Sequence, residues 1–319
     1  MRIFENTNFD FLGRRKIFYL VSIVFIVIGI TTLFIKSIPL GIDFQGGTEL
    51  QVRFQNDINV GDIRDIMDKA GFTGMEIKMM GSERDVLLRT PFQGEGHTIS
   101  DRIQDALNTG FPNNSFEILR TDKVGPKIGA ELREKALFAL IFSLIGILVY
   151  LSFRFQFVYA LGSVAALLHD VLVTISAIAI FNALIPSLRL ELNQTMLAAF
   201  LTLIGFSVND TVVIFDRIRE NIRLFKNEEI EGVMNKSVNA TLSRTIITSG
   251  TVFMTILVLF IFGGEVLRVF AFTFGIGIIT GTYSSVFVAS SVVVDWKHKV
   301  EAKLKTKGKV NKGRISTAK

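Results

Sequence analysis

The chain contains no cysteine and only three histidines among its 319 residues. Without cysteine there is no disulfide bond, no thiol chemistry and no cysteine-ligated metal ion. Three histidines outside any metal-spaced cluster predict no metal site. The Gly-x-x-x-x-Gly-Lys-Ser/Thr loop that cradles nucleotide phosphates is also absent. We therefore predict that the chain is not an enzyme and carries no cofactor.

Apolar residues dominate what is present. Hydrophobic residues make up 49% of the chain, and the mean hydropathy is +0.45, a balance typical of a membrane protein. The net charge of +6 comes from the C-terminus, because residues 297–319 hold nine Lys or Arg and one Glu and leave −2 for the rest. A basic tail beside a membrane indicates contact with lipid headgroups and retention in the cytoplasm. We predict no nucleic-acid binding.

Six stretches have the length and composition of membrane spans, since about 20 apolar residues in a helix cross the bilayer core. They are residues 17–35, 136–153, 157–181, 192–215, 245–262 and 269–294. The first stretch follows Arg14, Arg15 and Lys16 and lacks a small-x-small cleavage site. It is therefore predicted to be a retained signal anchor.

The distribution of Lys and Arg predicts the orientation of these spans. The N-terminal arm, the turn at 153–157, the 216–244 loop and the tail hold twenty Lys or Arg, against two in the loops 182–191 and 263–268. Positive residues favour the cytoplasmic side. Both termini are therefore predicted to be cytoplasmic, in a multi-pass protein of the bacterial inner membrane.

A soluble domain is predicted between the first two spans, at residues 36–135. Alternating or helical periodicity indicates strands near 48–55, 76–80, 85–90 and 116–124, with helices from Asn59 to Ala70 and from Thr98 onward. This βαββαβ order is typical of a ferredoxin-like α+β domain. The predicted organisation is an arm at 1–16, a first span at 17–35, this extracytoplasmic domain, a five-helix remainder of the bundle at 136–294 and a tail at 295–319.

Asp210 and Arg244 are ionisable residues at predicted spans. Such residues cost free energy in a membrane and by default indicate function. Asp210 lies about 9 Å of helix rise from the cytoplasmic end of its span, and Arg244 begins the next, antiparallel span at a similar depth. An Asp–Arg pair at this depth suits proton transfer, although a structural hydrogen bond and a positive flank residue are the plain alternatives. Polar neighbours that would hold a water wire at this pair are Ser207, Asn209, Thr211, Thr245, Thr248 and Ser249.

Two further features carry candidate residues. His169 and Asp170, near the centre of the third predicted span, form either a proton relay or a buried pair that holds helices together. Residues 41–47 read Gly-Ile-Asp-Phe-Gln-Gly-Gly, and this acid followed by two glycines indicates a turn with a capping carboxylate. Glycines in the spans predict close helix packing, at positions 146, 205, 275, 277 and 281.

Several of these motifs together resemble the SecD/SecF family of protein-export membrane proteins, which is related to the resistance-nodulation-division exporters. The resemblance runs from about residue 43 to residue 296 and rests on motifs in the family's order and spacing. These are residues 41–47, 124–129, 168–170, 208–210 with 216–221, 242–245 and 281–285. The resemblance implies that Asp43, Phe44, Gly46 and Gly47 are the family signature at the base of the outer domain.

The same resemblance implies a function and partners. It implies pairing with SecD, association with YajC and the SecYEG channel, and action alongside the SecA motor on a translocating preprotein. It also implies use of the proton-motive force, with Asp210 and Arg244 in the proton path. Two rival interpretations are a scaffold subunit without transduction and half of a small-molecule exporter, for which the predicted outer domain is small.

Overall fold

The computed structural model describes residues 7–91 and 98–299, without the side chains of residues 98, 265 and 266. The start of the predicted arm and residues 300–319 of the predicted basic tail lie outside the described residues. The chain forms two compact units. We call Met1–Ile38, Leu140–Leu190 and Ala198–Lys319 the helical unit, and Pro39–Ala139 with Glu191–Leu197 the α+β unit.

Nine α-helices and four strands make up the described regular structure. In chain order they are α1 (Arg15–Ile35), α2 (Ile42–Gln45), β1 (Gly47–Phe54), α3 (Val60–Lys69), β2 (Glu76–Met80), β3 (Ser82–Thr90), α4 (Thr98–Gly110), β4 (Phe116–Val124), α5 (Pro126–Arg154), α6 (Phe157–Leu184), α7 (Gln194–Leu224), α8 (Ile230–Phe262) and α9 (Gly264–Ser284). A π-helical segment, Ser285–Ala289, follows α9, and the α-helix resumes after it.

Six helices of the described chain are long and apolar enough to cross a membrane: α1, α5, α6, α7, α8 and the stretch Leu267–Lys299. The predicted six-helix fold class is confirmed. The predicted loop at 216–244 is wrong, because α7 continues to Leu224 and α8 begins at Ile230. Hydropathy marks only the apolar part of a helix. Helical turns beyond it satisfy their own backbone hydrogen bonds and leave polar side chains to water.

The helices of the helical unit approach closely where glycines remove a side chain. A Cβ at Gly29 would lie 2.1 Å from the Cβ of Ser176, and one at Gly277 would lie 2.6 Å from Leu203 Cδ1. A Cβ at Gly281 would lie 3.1 Å from the Cβ of Ser207. The packing prediction is confirmed at positions 277 and 281. At positions 146 and 205 a Cβ would meet no atom of the described chain within 4 Å, so the prediction there is not met by packing within the chain.

The α+β unit has the predicted ferredoxin-like arrangement. Its antiparallel sheet has the strand order β2-β3-β1-β4, and alternate residues of β1 face a core of apolar side chains from α3 and α4, with Leu50, Val52 and Phe54 fully or almost fully buried. The predicted helix cap is present, because Asn59 accepts a hydrogen bond from the Gly61 N–H at 2.7 Å. The opposite face of this sheet is free to carry polar side chains.

Candidate functional site

Asp210 points into the helical unit. Its side chain belongs to α7, is only 3% exposed, and accepts a hydrogen bond from the Ser249 hydroxyl of α8 at 2.9 Å. Ser249 is one of the polar neighbours predicted to hold a water wire near Asp210. Thr245, one turn earlier on α8, has a buried hydroxyl with no hydrogen-bond partner among the residues that the structure describes. The site is therefore a buried carboxylate among hydroxyl groups.

Arg244 does not pair directly with Asp210. The antiparallel register of α7 and α8 places Asp210 beside Ser249 and Asn221 beside Ser237, with 2.9 Å hydrogen bonds at both levels. Arg244 precedes Ser249 by five residues, or roughly 7 Å of helix rise toward the N-terminal end of α8. Within residues 7–91 and 98–299 no ion pair joins Asp210 to Arg244.

Arg244 lies on an outward face of the helical unit that also carries small and polar residues. Thr202, Gly205 and Asn209 are exposed on α7, with the i, i+3, i+7 spacing of one helix face. On α8, Arg244 is exposed together with Thr251. Polar side chains on a membrane-spanning helix normally face a protein interior or a partner. This outward polar face is therefore suited to contact with another subunit.

The predicted His169–Asp170 pair is present, with Asp170 fully buried and the His169 side chain 10% exposed. Asp170 is 0% exposed, and its Oδ1 lies 3.1 Å from His169 Nδ1. Its Oδ2 accepts hydrogen bonds from the hydroxyls of Ser207 on α7, at 2.6 Å, and of Ser284 on α9, at 2.8 Å. Asp170 therefore joins α6 to two other spans, and Ser207, predicted as a neighbour of Asp210, serves Asp170 instead.

The hydrogen bonds continue from His169 to α1. His169 Nε2 lies 2.9 Å from the Ser22 hydroxyl, which lies 2.9 Å from the Tyr283 hydroxyl. Tyr283 donates to the backbone carbonyl of Phe18 at 2.7 Å. Sequence reasoning did not connect Ser22 or Tyr283 to His169, although Tyr283 lies in the 281–285 motif, since a local pattern does not show which side chains of other helices a residue meets.

The acid-and-glycine motif of residues 41–47 belongs to the α+β unit. Asp43 Oδ2 accepts a hydrogen bond from the N–H of Gln194, the first residue of α7, at 3.0 Å. The predicted capping carboxylate is therefore found, but it caps a distant helix and not its own turn. Phe44 is buried, and both Gly46 and Gly47 have positive φ, at 79° and 132°, which L-residues with a side chain rarely adopt.

Asp43→Ala is expected to destabilise the start of α7 by about 1 kcal/mol, because it removes an acceptor and a negative charge from a helix N-terminus. Hydrogen exchange of peptides covering residues 193–200, measured by mass spectrometry on the full chain, will report this as about fivefold faster exchange. Asp43→Asn keeps an acceptor oxygen and should destabilise the start of α7 less than Asp43→Ala. Unchanged exchange in Asp43→Ala would show that Asn193, which accepts from the Met196 N–H at 2.8 Å, caps the helix alone.

A charged cluster in the α+β unit was not predicted. Arg89 of β3 is only 8% exposed and sits in the sheet between Glu49 of β1 and Glu76 of β2, its direct cross-strand neighbours. Its guanidinium contacts Glu49 at 2.6 Å, Glu76 at 3.1 Å and Glu191 at 2.6 Å. Glu191 lies just before α7, so the cluster and Asp43 both hold the segment that starts this helix.

The pKa shifts in this cluster follow from burial and pairing. Burial raises the pKa of Glu49 above its ordinary value, against the opposing effect of the Arg89 guanidinium. Burial acts to lower the pKa of Arg89, but the Glu191 and Glu49 carboxylates outweigh it and raise that pKa. Arg89 therefore stays charged and compensates several buried carboxylates at once.

These features define the class of the protein: a multi-pass membrane protein with a ferredoxin-like unit between its first two spans and buried carboxylates in its helical unit. Residues 103–299 match the family model described as "Protein export membrane protein SecD/SecF, C-terminal". Residues 32–58 match the "SecD/SecF GG Motif", and this range contains the glycine pair at 46 and 47.

Two curated relatives carry the same description. The chain is 42% identical over 303 residues to "Protein translocase subunit SecF" of Rhodothermus marinus, covering 95% of this chain and 98% of the relative. It is 42% identical over 297 residues to the SecF subunit of Calditerrivibrio nitroreducens, covering 91% and 94%. The chain therefore belongs to the SecD/SecF family, among its SecF subunits of the protein translocase.

A solved structure shares the fold. The crystal structure of SecDF, a translocon-associated membrane protein from Thermus thermophilus, superposes with a TM-score of 0.80 at 33% sequence identity. The match covers 92% of this chain and 39% of the SecDF chain. The present chain thus spans well under half of that protein.

Proposed function

We propose that this chain acts with SecD in a SecDF complex that uses the proton-motive force to promote preprotein export across the cytoplasmic membrane. Its family makes it a translocase subunit. The observation that supports proton use is Asp210, a carboxylate buried in a membrane-length helix with a neutral hydroxyl as its hydrogen-bond donor. A carboxylate without a close cation binds and releases a proton more readily than one locked in an ion pair.

Asp210 and Arg244 then act as a titratable switch. Protonation of Asp210, or of an acid supplied by SecD, removes the charge that attracts Arg244, and the equilibrium between two arrangements of the spans shifts. Such coupling requires that the two states bind the proton with different affinity. One proton crossing a potential of 100 mV supplies about 2.3 kcal/mol, so a stroke against a substantial load consumes several protons.

The outward polar face with Thr202, Gly205, Asn209 and Arg244 supports SecD as the direct partner. Small residues allow close approach of a neighbouring helix, and an exposed Arg in a span calls for an acid on that neighbour. Contacts with YajC, the SecYEG channel and SecA, and with the preprotein itself, are part of this proposal. The description of the Thermus protein as translocon-associated supports them.

The proposed orientation places both termini in the cytoplasm. The twenty Lys or Arg on one side against two on the other support it. Residues 36–135 then form the extracytoplasmic domain, residues 136–294 the remaining spans, and residues 295–319 a cytoplasmic tail that contacts anionic lipid headgroups. The bacterial inner membrane is the location that this arrangement requires.

Asp210→Asn tests the proposal. In proteoliposomes that contain the full chain with SecD, SecYEG and SecA, we expect the proton-motive-force-stimulated part of preprotein translocation to fall by about 10²-fold. Losing a proton-transfer group typically costs about 10²–10⁴ in rate. The part driven by ATP alone should not change. The measurement compares the amount of preprotein protected from added protease with and without an imposed proton gradient.

Glu228→Gln is the control for loss of a carboxylate. Glu228 pairs with Lys236 on the surface at 2.6 Å, and its replacement should leave the gradient-stimulated part intact. If Asp210→Asn keeps the stimulation of the unmodified chain while assembly with SecD is normal, Asp210 does not couple proton flow to export.

A further inference from the structure

Asp170 is a buried acid without a permanent cation. Its sole ion-pair partner in the described part of the chain is His169. Its other contacts are the hydroxyls of Ser207 and Ser284. An isolated carboxylate is too costly to bury uncompensated. Either the acid itself is neutral, or His169 is positively charged.

The directions of the hydrogen bonds around His169 also indicate that either Asp170 is neutral or His169 is positively charged. Tyr283 has one hydroxyl hydrogen, and the Phe18 carbonyl at 2.7 Å can only accept it. The Ser22 hydroxyl, 2.9 Å from Tyr283, must therefore give its own hydrogen to the Tyr283 oxygen. With that hydrogen committed, Ser22 can only accept from His169 Nε2 at 2.9 Å. His169 thus carries a proton on Nε2.

The contact between His169 Nδ1 and Asp170 Oδ1 then needs a second proton. At 3.1 Å two bare lone pairs would repel, so one proton lies between them, on Nδ1 or on Oδ1. Both forms of the pair are neutral overall: an imidazolium with a carboxylate, or a neutral imidazole with a carboxylic acid. The pair therefore holds one exchangeable proton at the centre of the helical unit.

We propose that the His169–Asp170 pair is a second proton-binding site of this chain and exchanges its proton with Asp210. The exchange moves one proton from the pair to the Asp210 carboxylate, leaving a charged pair and a neutral Asp210, and needs no other reactant. Ser207, bonded to Asp170, precedes Asp210 on α7 by three residues, which is about 5–6 Å on a helix. The role of this proton in transport rests on the proposed function, but the presence of an exchangeable proton on the His169–Asp170 pair does not.

The surroundings of the pair contain few other charges. From α1 it faces Ser22, from α7 Ser207 with Asp210 one turn away, and from α9 Tyr283 and Ser284. The sequence of α1 has no Asp, Glu, Lys or Arg between Lys16 and Lys36. The π-helical segment begins directly after Ser284, and such segments are frequent at functional sites.

The tautomer of His169 tests the proposal. Besides His169 the chain has His97 and His298, so the variant His97→Gln, His298→Gln leaves a single histidine. In ¹⁵N-labelled full-length protein in lipid bilayers, solid-state NMR at neutral pH should show a protonated Nε2. Nδ1 should be either protonated or hydrogen-bonded to an acid proton. A bare Nε2 with a protonated Nδ1 would mean that Asp170 is an ordinary carboxylate accepting from a neutral His, and would overturn the proposal.

Two phenol variants and one acid variant complete the test. In Tyr283→Phe the Ser22 hydroxyl no longer donates to a phenol and can donate to His169 Nε2, so the NMR signal of a protonated Nε2 should weaken. Tyr150→Phe, at an exposed residue, should leave the His169 spectrum unchanged. Asp170→Asn should lower gradient-stimulated translocation by about tenfold or more, as expected for loss of a proton-transfer group. If Asp210→Asn leaves translocation intact but Nε2 is protonated, the proposed function fails and the proton site stands.

Discussion

Arg89→Met is expected to destabilise the α+β unit by about 3–5 kcal/mol, the usual cost of removing one partner of a buried ion pair. The substitution keeps most of the side-chain volume and removes the charge. Glu49 and Glu191 lie 2.6 Å from the guanidinium in the folded chain. Without Arg89, Glu49 would lose its ion-pair partner, and Glu191 would keep only Lys78, at 3.7 Å. Most of the loss comes from these two carboxylates and not from lost packing.

Hydrogen exchange by mass spectrometry on the full chain in detergent measures this effect. Amides of β1 and β3 should exchange about 10²–10⁴-fold faster in Arg89→Met. Arg53→Met is the matched control, because Arg53 lies on the same sheet and pairs with Asp85 at 2.6 Å while its own side chain is 55% exposed. An exposed pair contributes about 0–1 kcal/mol, so the control should change exchange by less than about tenfold.

Replacing the carboxylates that lose Arg89 should restore part of the stability of the variant. In Arg89→Met with Glu49→Gln and Glu191→Gln, the amide side chains carry no charge, and a large part of the lost protection should return. Exchange in this triple variant that is no slower than in Arg89→Met would contradict an electrostatic role for Arg89. The stability would then depend on the shape of the arginine side chain.

Periodicity alone predicted the α+β unit well. Predicted strands at 48–55, 76–80 and 116–124 correspond to β1, β2 and β4 within a residue, and only β3 is clearly longer than predicted, starting at Ser82 and not at residue 85. Burial on one face imposes a period of two on each strand, and the amphipathic helices have a period near 3.6. Both signals are local, so a single sequence carries them.

Contacts that depend on register could not be predicted in the same way. Arg89 meets Glu191 across 102 positions of sequence, and no local pattern marks that pairing. The depth of Asp210 and Arg244 in their spans was read from span boundaries, and an error of a few residues decides whether Asp210 meets Arg244 or Ser249. Side-chain networks such as His169–Ser22 depend on helix rotation, which hydropathy does not specify.

Gly47→Ala is expected to destabilise the α+β unit by about 2–6 kcal/mol, through two separate effects. The φ of Gly47 is +132°, where a residue with a side chain is strained by about 1–3 kcal/mol. A Cβ would also lie 2.5 Å from the carbonyl oxygen of Thr90, and relieving such overlap typically costs about 1–3 kcal/mol. Because Gly47 pairs with Val124 and its neighbour Thr48 pairs with Thr90, the start of β1 cannot shift without breaking both pairings.

Gly81→Ala separates the two effects. Gly81 has a φ of +73° in the turn between β2 and β3, but a Cβ there would meet no described atom within 4 Å. Gly81→Ala should therefore be destabilised only by its backbone conformation, by about 1–2 kcal/mol for a left-handed residue. Exchange of β1 amides should rise at least about fivefold more in Gly47→Ala than in Gly81→Ala, given about 1–3 kcal/mol of extra overlap. Equal exchange in the two variants would show that the second glycine of the motif is needed for its backbone conformation and not for the close approach of Thr90.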